Sequence, residues 1–137
     1  MAGLRSRTTA RFMGNVATVF FGIVIALQLL LALGMLPITM AWGGQQSVLT
    51  PGLRVASVAA VAILAGMAYV IRRRAGLIGT GEQPSVFIKV LAWIVTAYVG
   101  LNLLGNLTSP SAGERLLFGS ITAVLLPACG LVSMSDI

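Results

Sequence analysis

The chain has 137 residues, is 58% hydrophobic and 9% charged, and carries a formal charge of +6. A soluble domain usually carries about 25% charge, and a chain this short can hide only a small share of its surface in a water-soluble core. A mean hydropathy of +1.00 therefore points to a bilayer as the solvent. The chain contains no histidine, which removes bis-histidine haem ligation, His-based metal sites and Ser-His or Cys-His catalysis.

Residues 1–11 carry Arg5, Arg7 and Arg11, and an apolar run follows over 12–36. With Ala32-Leu33-Gly34 at its end, the segment imitates a secretory signal. The run is far longer than the roughly 7–15 residues of a cleavable core, so a retained first helix is expected. Gly22 and Ala26, four apart, offer a flat strip to a neighbouring helix. Residues 37–50, PITMAWGGQQSVLT, read as a loop. Its Gly43-Gly44 pair breaks helix and strand alike, and Trp42 suits a membrane interface.

Thr50-Pro51 is a helix start, with threonine as N-cap and proline in the first turn. The second helix is predicted over 51–71, between Arg54 and Arg72. Its small residues Ala56, Ala60, Ala62 and Gly66 place it at the centre of a bundle. Arg72, Arg73 and Arg74 then open a polar loop. The glycines at 76, 79 and 81 are no phosphate loop, because no Gly-Lys-Ser/Thr follows them.

The third helix is predicted over 85–105. Tyr98, Asn102 and Asn106 recur every four residues and share a face. In the turn after it, Ser109-Pro110 repeats the cap-then-proline start, and Ser111 and Glu114 have the spacing of a capping box. The fourth helix is predicted over 110–133, kinked at Pro127. Cys129 lies inside this run and reads as a small hydrophobe.

The expected fold is all-α: one integral membrane domain over 1–137, built of four transmembrane helices in two hairpins. With both termini in the cytoplasm, Arg5, Arg7, Arg11, Arg72, Arg73, Arg74 and Lys89 lie inside, and Arg54 and Arg115 lie outside. That asymmetry is the positive-inside rule. The arginine triplet is read as a topology signal, with phospholipid headgroup contact as its lesser role. A weak repeat relates 26–30 (ALQLL) to 100–104 (GLNLL), so the hairpins could be copies about an axis along the membrane normal.

The candidate ligand-binding residues are Gln28, Trp42, Gln45, Arg54, Asn102, Asn106, Glu114 and Arg115, all near the outer end. The amides could line a polar cleft or could hold helices together by hydrogen bonds. The arginines could hold a phosphate or carboxylate or could snorkel and tie the outer loops. No carboxylate or histidine lies within a span, which argues against a proton-coupled pump. Four-helix drug exporters depend on a glutamate in the first helix, and small fluoride channels on a Thr-Phe-Ser-Thr segment. Neither is present. No nucleophile–base pair supports an intramembrane enzyme.

Over AWGGQQ…LTPGLRVAS and LNLLGNLTSPSAGER the chain resembles a group of small bacterial membrane proteins of four helices. The resemblance rests on Trp42, Gly43, Gly44, Gln45, Leu53, Arg54, Ser57, Asn102, Gly105, Asn106, Ser111, Glu114 and Arg115. It implies a bacterial inner-membrane protein and carries no activity. Members of that group often have a basic residue or histidine where Gln45-Gln46 stand here. The chain is thus expected to be a non-enzymatic protein without cofactor, metal or nucleic acid, an accessory subunit or homo-oligomer among membrane lipids. The alternative is binding or transport of a lipid or small polar solute in the outward cleft.

Overall fold

A computed structural model describes residues 8–35, 50–79 and 84–135. Four helices make up the fold: α1 (Ala10–Ala32), α2 (Pro51–Arg74), α3 (Val86–Leu107) and α4 (Glu114–Ser133). All four are long and apolar enough to cross a membrane. They form two hairpins, α1–α2 and α3–α4, closed into a ring by α1 against α4 and by α2 against α3. The last of these seams is the loosest. Phe12, Val19, Val58, Phe87, Ile94 and Leu101 are exposed on the outside of the bundle, as a lipid-facing surface requires.

Local chemistry explains the helix ends. Thr50 caps α2, its Oγ1 accepting from the Leu53 N–H at 3.1 Å, with Pro51 in the first turn. Ser85 does the same for α3 through the Ile88 N–H. The predicted bounds shift at three ends. α1 stops at Ala32, four residues early. Gly34 has φ +77, and Gly34 and Met35 donate back to the Leu31 and Leu30 carbonyls. α2 runs on through the arginine triplet to the same closure at Gly76, φ +78. Arginine is a good helix former, and its charge suits a helix C-terminus, so the triplet forms the last turn rather than a loop. At the start of α4 the cap is Ser111, whose Oγ accepts from the Glu114 N–H at 3.2 Å. The Ser111 N–H is taken by Ser109 Oγ, so Ser109-Pro110 stands outside the helix. The first turn of α4, Glu114–Phe118, is π-helical.

The centre of the bundle is α4, not α2. Half of the α4 window is buried, against 17% of α2. α2 is rich in small residues, but they do not draw neighbours in: Ala62 and Gly66 face outward, with nothing within 4 Å of a Cβ built at Gly66. The Gly22/Ala26 strip on α1 also faces outward. The close approach is made by Gly14, where an added Cβ would lie 2.7 Å from the Ala75 Cβ. Gly14→Ala should therefore destabilise the fold by about 1–2 kcal/mol through overpacking. Gly22→Ala, with open space where its Cβ would lie, should raise stability by up to about 1 kcal/mol through helix propensity. Thermal unfolding of both variants in detergent checks this pair.

Side-chain hydrogen bonds clasp each hairpin at both ends. In α1–α2, Arg72 Nη1 donates to Asn15 Oδ1 and Thr18 Oγ1 at 3.3 and 3.1 Å, while Arg54 Nη1 donates to the Ala32 carbonyl at 3.1 Å. In α3–α4, the Thr96 and Ser133 hydroxyls lie 3.0 Å apart, and Asn106 Nδ2 donates to Thr122 Oγ1 at 3.2 Å. In hydrocarbon each such tie contributes about 0.6 kcal/mol on average.

Candidate functional site

The buried residues of α1 recur in steps of three and four: Ala10, Gly14, Ala17, Phe21, Val24 and Leu31. Gln28 occupies the missing position between Val24 and Leu31, so an amide is carried inward on an apolar stripe. α2 has a matching interruption. Ser57, Met67, Ile71 and Arg74 are buried, but the intervening Ala60 and Leu64 are only half-buried. The two interruptions face the same space, a cavity of about 640 Å³ in the half of the bundle nearest the 108–113 turn.

One wall is the face of α2 formed by Ala56, Ala59, Ala60 and Ile63. The facing wall is α3 from Tyr98 through Leu101 and Gly105. The floor is Phe21 and Val24 of α1 with Phe118 and Leu125 of α4. Floor residues Phe21, Phe118 and Leu125 are buried, whereas Ala59, Ile63, Leu101 and Gly105 are exposed. The cavity therefore opens sideways through the loose α2–α3 seam, toward the surface that lipid covers. Small side chains make the opening: where a helix of leucines would close the seam, α2 offers alanines.

Four of the eight candidate residues line this space: Gln28, Asn102, Asn106 and Glu114. Thr122, which the sequence did not single out, joins them. Glu114 is 3% exposed and stands at the start of the π-helical turn. Such turns are rare and frequently accompany functional sites. Gln28 Oε1 is buried and has no hydrogen-bond partner among the described residues. A buried acceptor left unsatisfied costs about 1–3 kcal/mol. Asn102 Nδ2 donates to the Tyr98 carbonyl at 2.9 Å, and Asn106 Nδ2 to Thr122, whose own hydroxyl donates to the Phe118 carbonyl at 2.8 Å.

Arg54 and Arg115 are not among the lining residues. Each guanidinium is engaged with a backbone carbonyl, Arg54 with Ala32 and Arg115 with Ser109 at 2.6 Å. Trp42 and Gln45 lie outside the described residues. At the opposite end the triplet arginines diverge. Arg72 reaches α1. Arg73 lies over Gly79, where a Cβ would fall 2.6 Å from its Nη1. Arg74 is 3% exposed and donates to the Ser133 and Ser135 carbonyls at the end of α4.

No family model, curated protein or solved structure matches the chain. Its chemistry must be read from the cavity itself. Gln28 and Asn102, the amides at corresponding positions of the weak repeat, face one another's cavity from α1 and α3. The walls signalled themselves in sequence only as small-residue spacing on α2, a pattern that fits tight packing and open space equally well. The floor had no signal, because Phe118, Thr122 and Leu125 are ordinary helix residues until α4 is placed at the centre.

Proposed function

We propose that this chain binds an amphiphilic molecule from the bilayer in the lateral cavity between α2 and α3. The observation that carries the reading is an apolar cavity, open through the α2–α3 seam, whose lining also holds the amides Gln28, Asn102 and Asn106. An alkyl chain entering through the seam would lie against Ala56, Ala60 and Leu101. Its polar end would reach the amides and Glu114. A cavity of about 640 Å³ is in the size range of pockets that hold small-molecule ligands.

The setting that goes with this reading is a bacterial inner membrane with both termini cytoplasmic, which puts the cavity in the outer half of the bundle. Binding needs no catalytic group, in keeping with the lack of a nucleophile–base pair in the sequence.

Ala60→Phe places a ring in the cavity from the α2 wall. In protein released from nanodiscs and weighed by native mass spectrometry, the wild type should retain one alkyl-chain ligand. The variant should retain at most a tenth as much at equal folding. Equal retention by both would sink the reading.

A further inference from the structure

The cavity is graded along its length. Cross-helix hydrogen bonds set which residues share a level: Arg54 is tied to Ala32 and Arg72 to Thr18, while Asn106 is tied to Thr122 and Thr96 to Ser133. In that register the deepest buried lining residues of the four helices are Phe21, Met67, Val99 and Leu125, and all four are apolar. The polar lining residues stand nearer the 108–113 turn. Gln28 is seven residues above Phe21 on α1, and Asn106 is seven above Val99 on α3, which is roughly 10 Å of helix in each case. Glu114 opens α4, and Asn102 lies between the two levels. Tyr98, at the deep level, is exposed at the mouth rather than buried on the floor.

The mouth is confined to the same half of the bundle. Its exposed residues Ala59, Ile63, Leu101 and Gly105 all lie on the turn side of Met67 and Val99. Phe21 is the midpoint of α1, so the floor closes near the middle of the span. Beyond the floor, Ile71, Ala92, Val95, Ala128 and Cys129 belong to one buried core. There Thr96 is tied to Ser133, and Arg74 to the Ser133 carbonyl.

We propose that the cavity is a blind site serving one leaflet: it takes its amphiphile from the leaflet at the 108–113 end, holds the head at that end with the tail toward the bundle centre, and does not pass it across. The inference rests on the amphiphile-binding reading above and adds sidedness, which separates a one-sided binder from a transporter. An inverted ligand would set its head among Phe21, Met67, Val99 and Leu125, where it loses hydration and gains no polar partner. A ligand from the opposite leaflet would have to carry its head through the buried core, at the depth where charge is most costly.

The test uses two photoprobes, an alkyl trimethylammonium and an alkyl sulfonate, each with a diazirine at the tail end. Their permanently charged heads keep them in the monolayer to which they are added. Full-length Ala112→Cys protein is reconstituted into vesicles in both orientations. Residue 112 is exposed and outside the cavity lining, whereas Cys129 is buried. A membrane-impermeant biotin maleimide, applied after photolysis, therefore marks the molecules whose 108–113 end faces outward. Probe added from outside should label the marked pool at least tenfold more than the unmarked pool. Probe mixed into both monolayers should label the two pools alike. Adducts should map to the segments around Phe21, Met67, Val99 or Leu125, and Ala60→Phe should remove them. Equal labelling of both pools from outside, or tail adducts confined to 114–118, overturns the one-leaflet site and leaves the binding function standing. If neither probe gives an adduct that Ala60→Phe removes when both monolayers are loaded, both proposals fall.

Discussion

Arg74→Ala should lower the stability of the fold by about 3 kcal/mol, the largest loss expected from any single side chain in the arginine triplet. Arg74 is buried and donates through Nη2 to the carbonyls of Ser133 and Ser135, 59 and 61 residues away. Ser133 ends α4 and Ser135 lies two residues beyond it, and the last carbonyls of a helix have no partner within it. A guanidinium supplies both hydrogen bonds and a positive charge where the helix dipole is negative. Hydrogen bonds to charged groups contribute about 1.5–3 kcal/mol each. Arg74→Lys should recover only part of the loss, since one ammonium cannot reproduce the planar fork. Arg72→Ala, on a more accessible side chain bridging Asn15 and Thr18, should cost about 1 kcal/mol. Reversible unfolding in mixed micelles, read by far-UV circular dichroism, ranks the three variants. Equal losses for Arg72 and Arg74 would mean that the α4 end is held by something other than this guanidinium.

That ranking could not be read from the sequence, and the reason is physical. Three consecutive arginines after an apolar run carry the same topological meaning wherever their side chains point. Their spacing by 100° around a helix sends one to α1, one over the following loop and one to α4, but only once the helix is known to continue through them. The continuation depended on Gly76 as the stop. Where the code is local, the reading was close: four helices, the Thr50 cap, the Ser111-to-Glu114 spacing and the shared face of Asn102 and Asn106 all follow from neighbours in the chain. Where it depends on which helix lies next to which, small residues misled. Ala62 and Gly66 mark a possible close approach, and α2 makes none there. The same ambiguity hid the cavity, since Ala56 and Ala60 have the spacing of a packing strip. Arg54 and Arg115 suggested an anion site in the sequence; neither lines the cavity, and each donates to a backbone carbonyl at a helix end or turn.

Gln28→Met should stabilise the ligand-free protein by about 1–3 kcal/mol while weakening amphiphile binding at least tenfold. Methionine keeps the length and flexibility of glutamine and removes the amide. The stability gain follows from Oε1: it is buried and unpartnered, and replacing an unsatisfied buried acceptor by an apolar group recovers its desolvation penalty. If Gln28 served only to hold helices together, the sign would reverse, because deleting a satisfied tie destabilises. Asn106→Leu provides that contrast. Asn106 donates to Thr122 across the α3–α4 hairpin, so its loss should destabilise by about 0.6 kcal/mol, although the residue lines the same cavity. Two amides in one cavity should thus move stability in opposite directions. A residue that lowers the stability of the empty protein and raises its affinity for ligand is what a binding site built at the expense of the fold would contain. Unfolding free energies of Gln28→Met and Asn106→Leu, each measured with and without dodecanol, provide the check. Ligand should stabilise the wild type more than the Gln28 variant, by linkage between binding and folding. A Gln28→Met protein that is less stable than wild type when empty would assign this amide to packing.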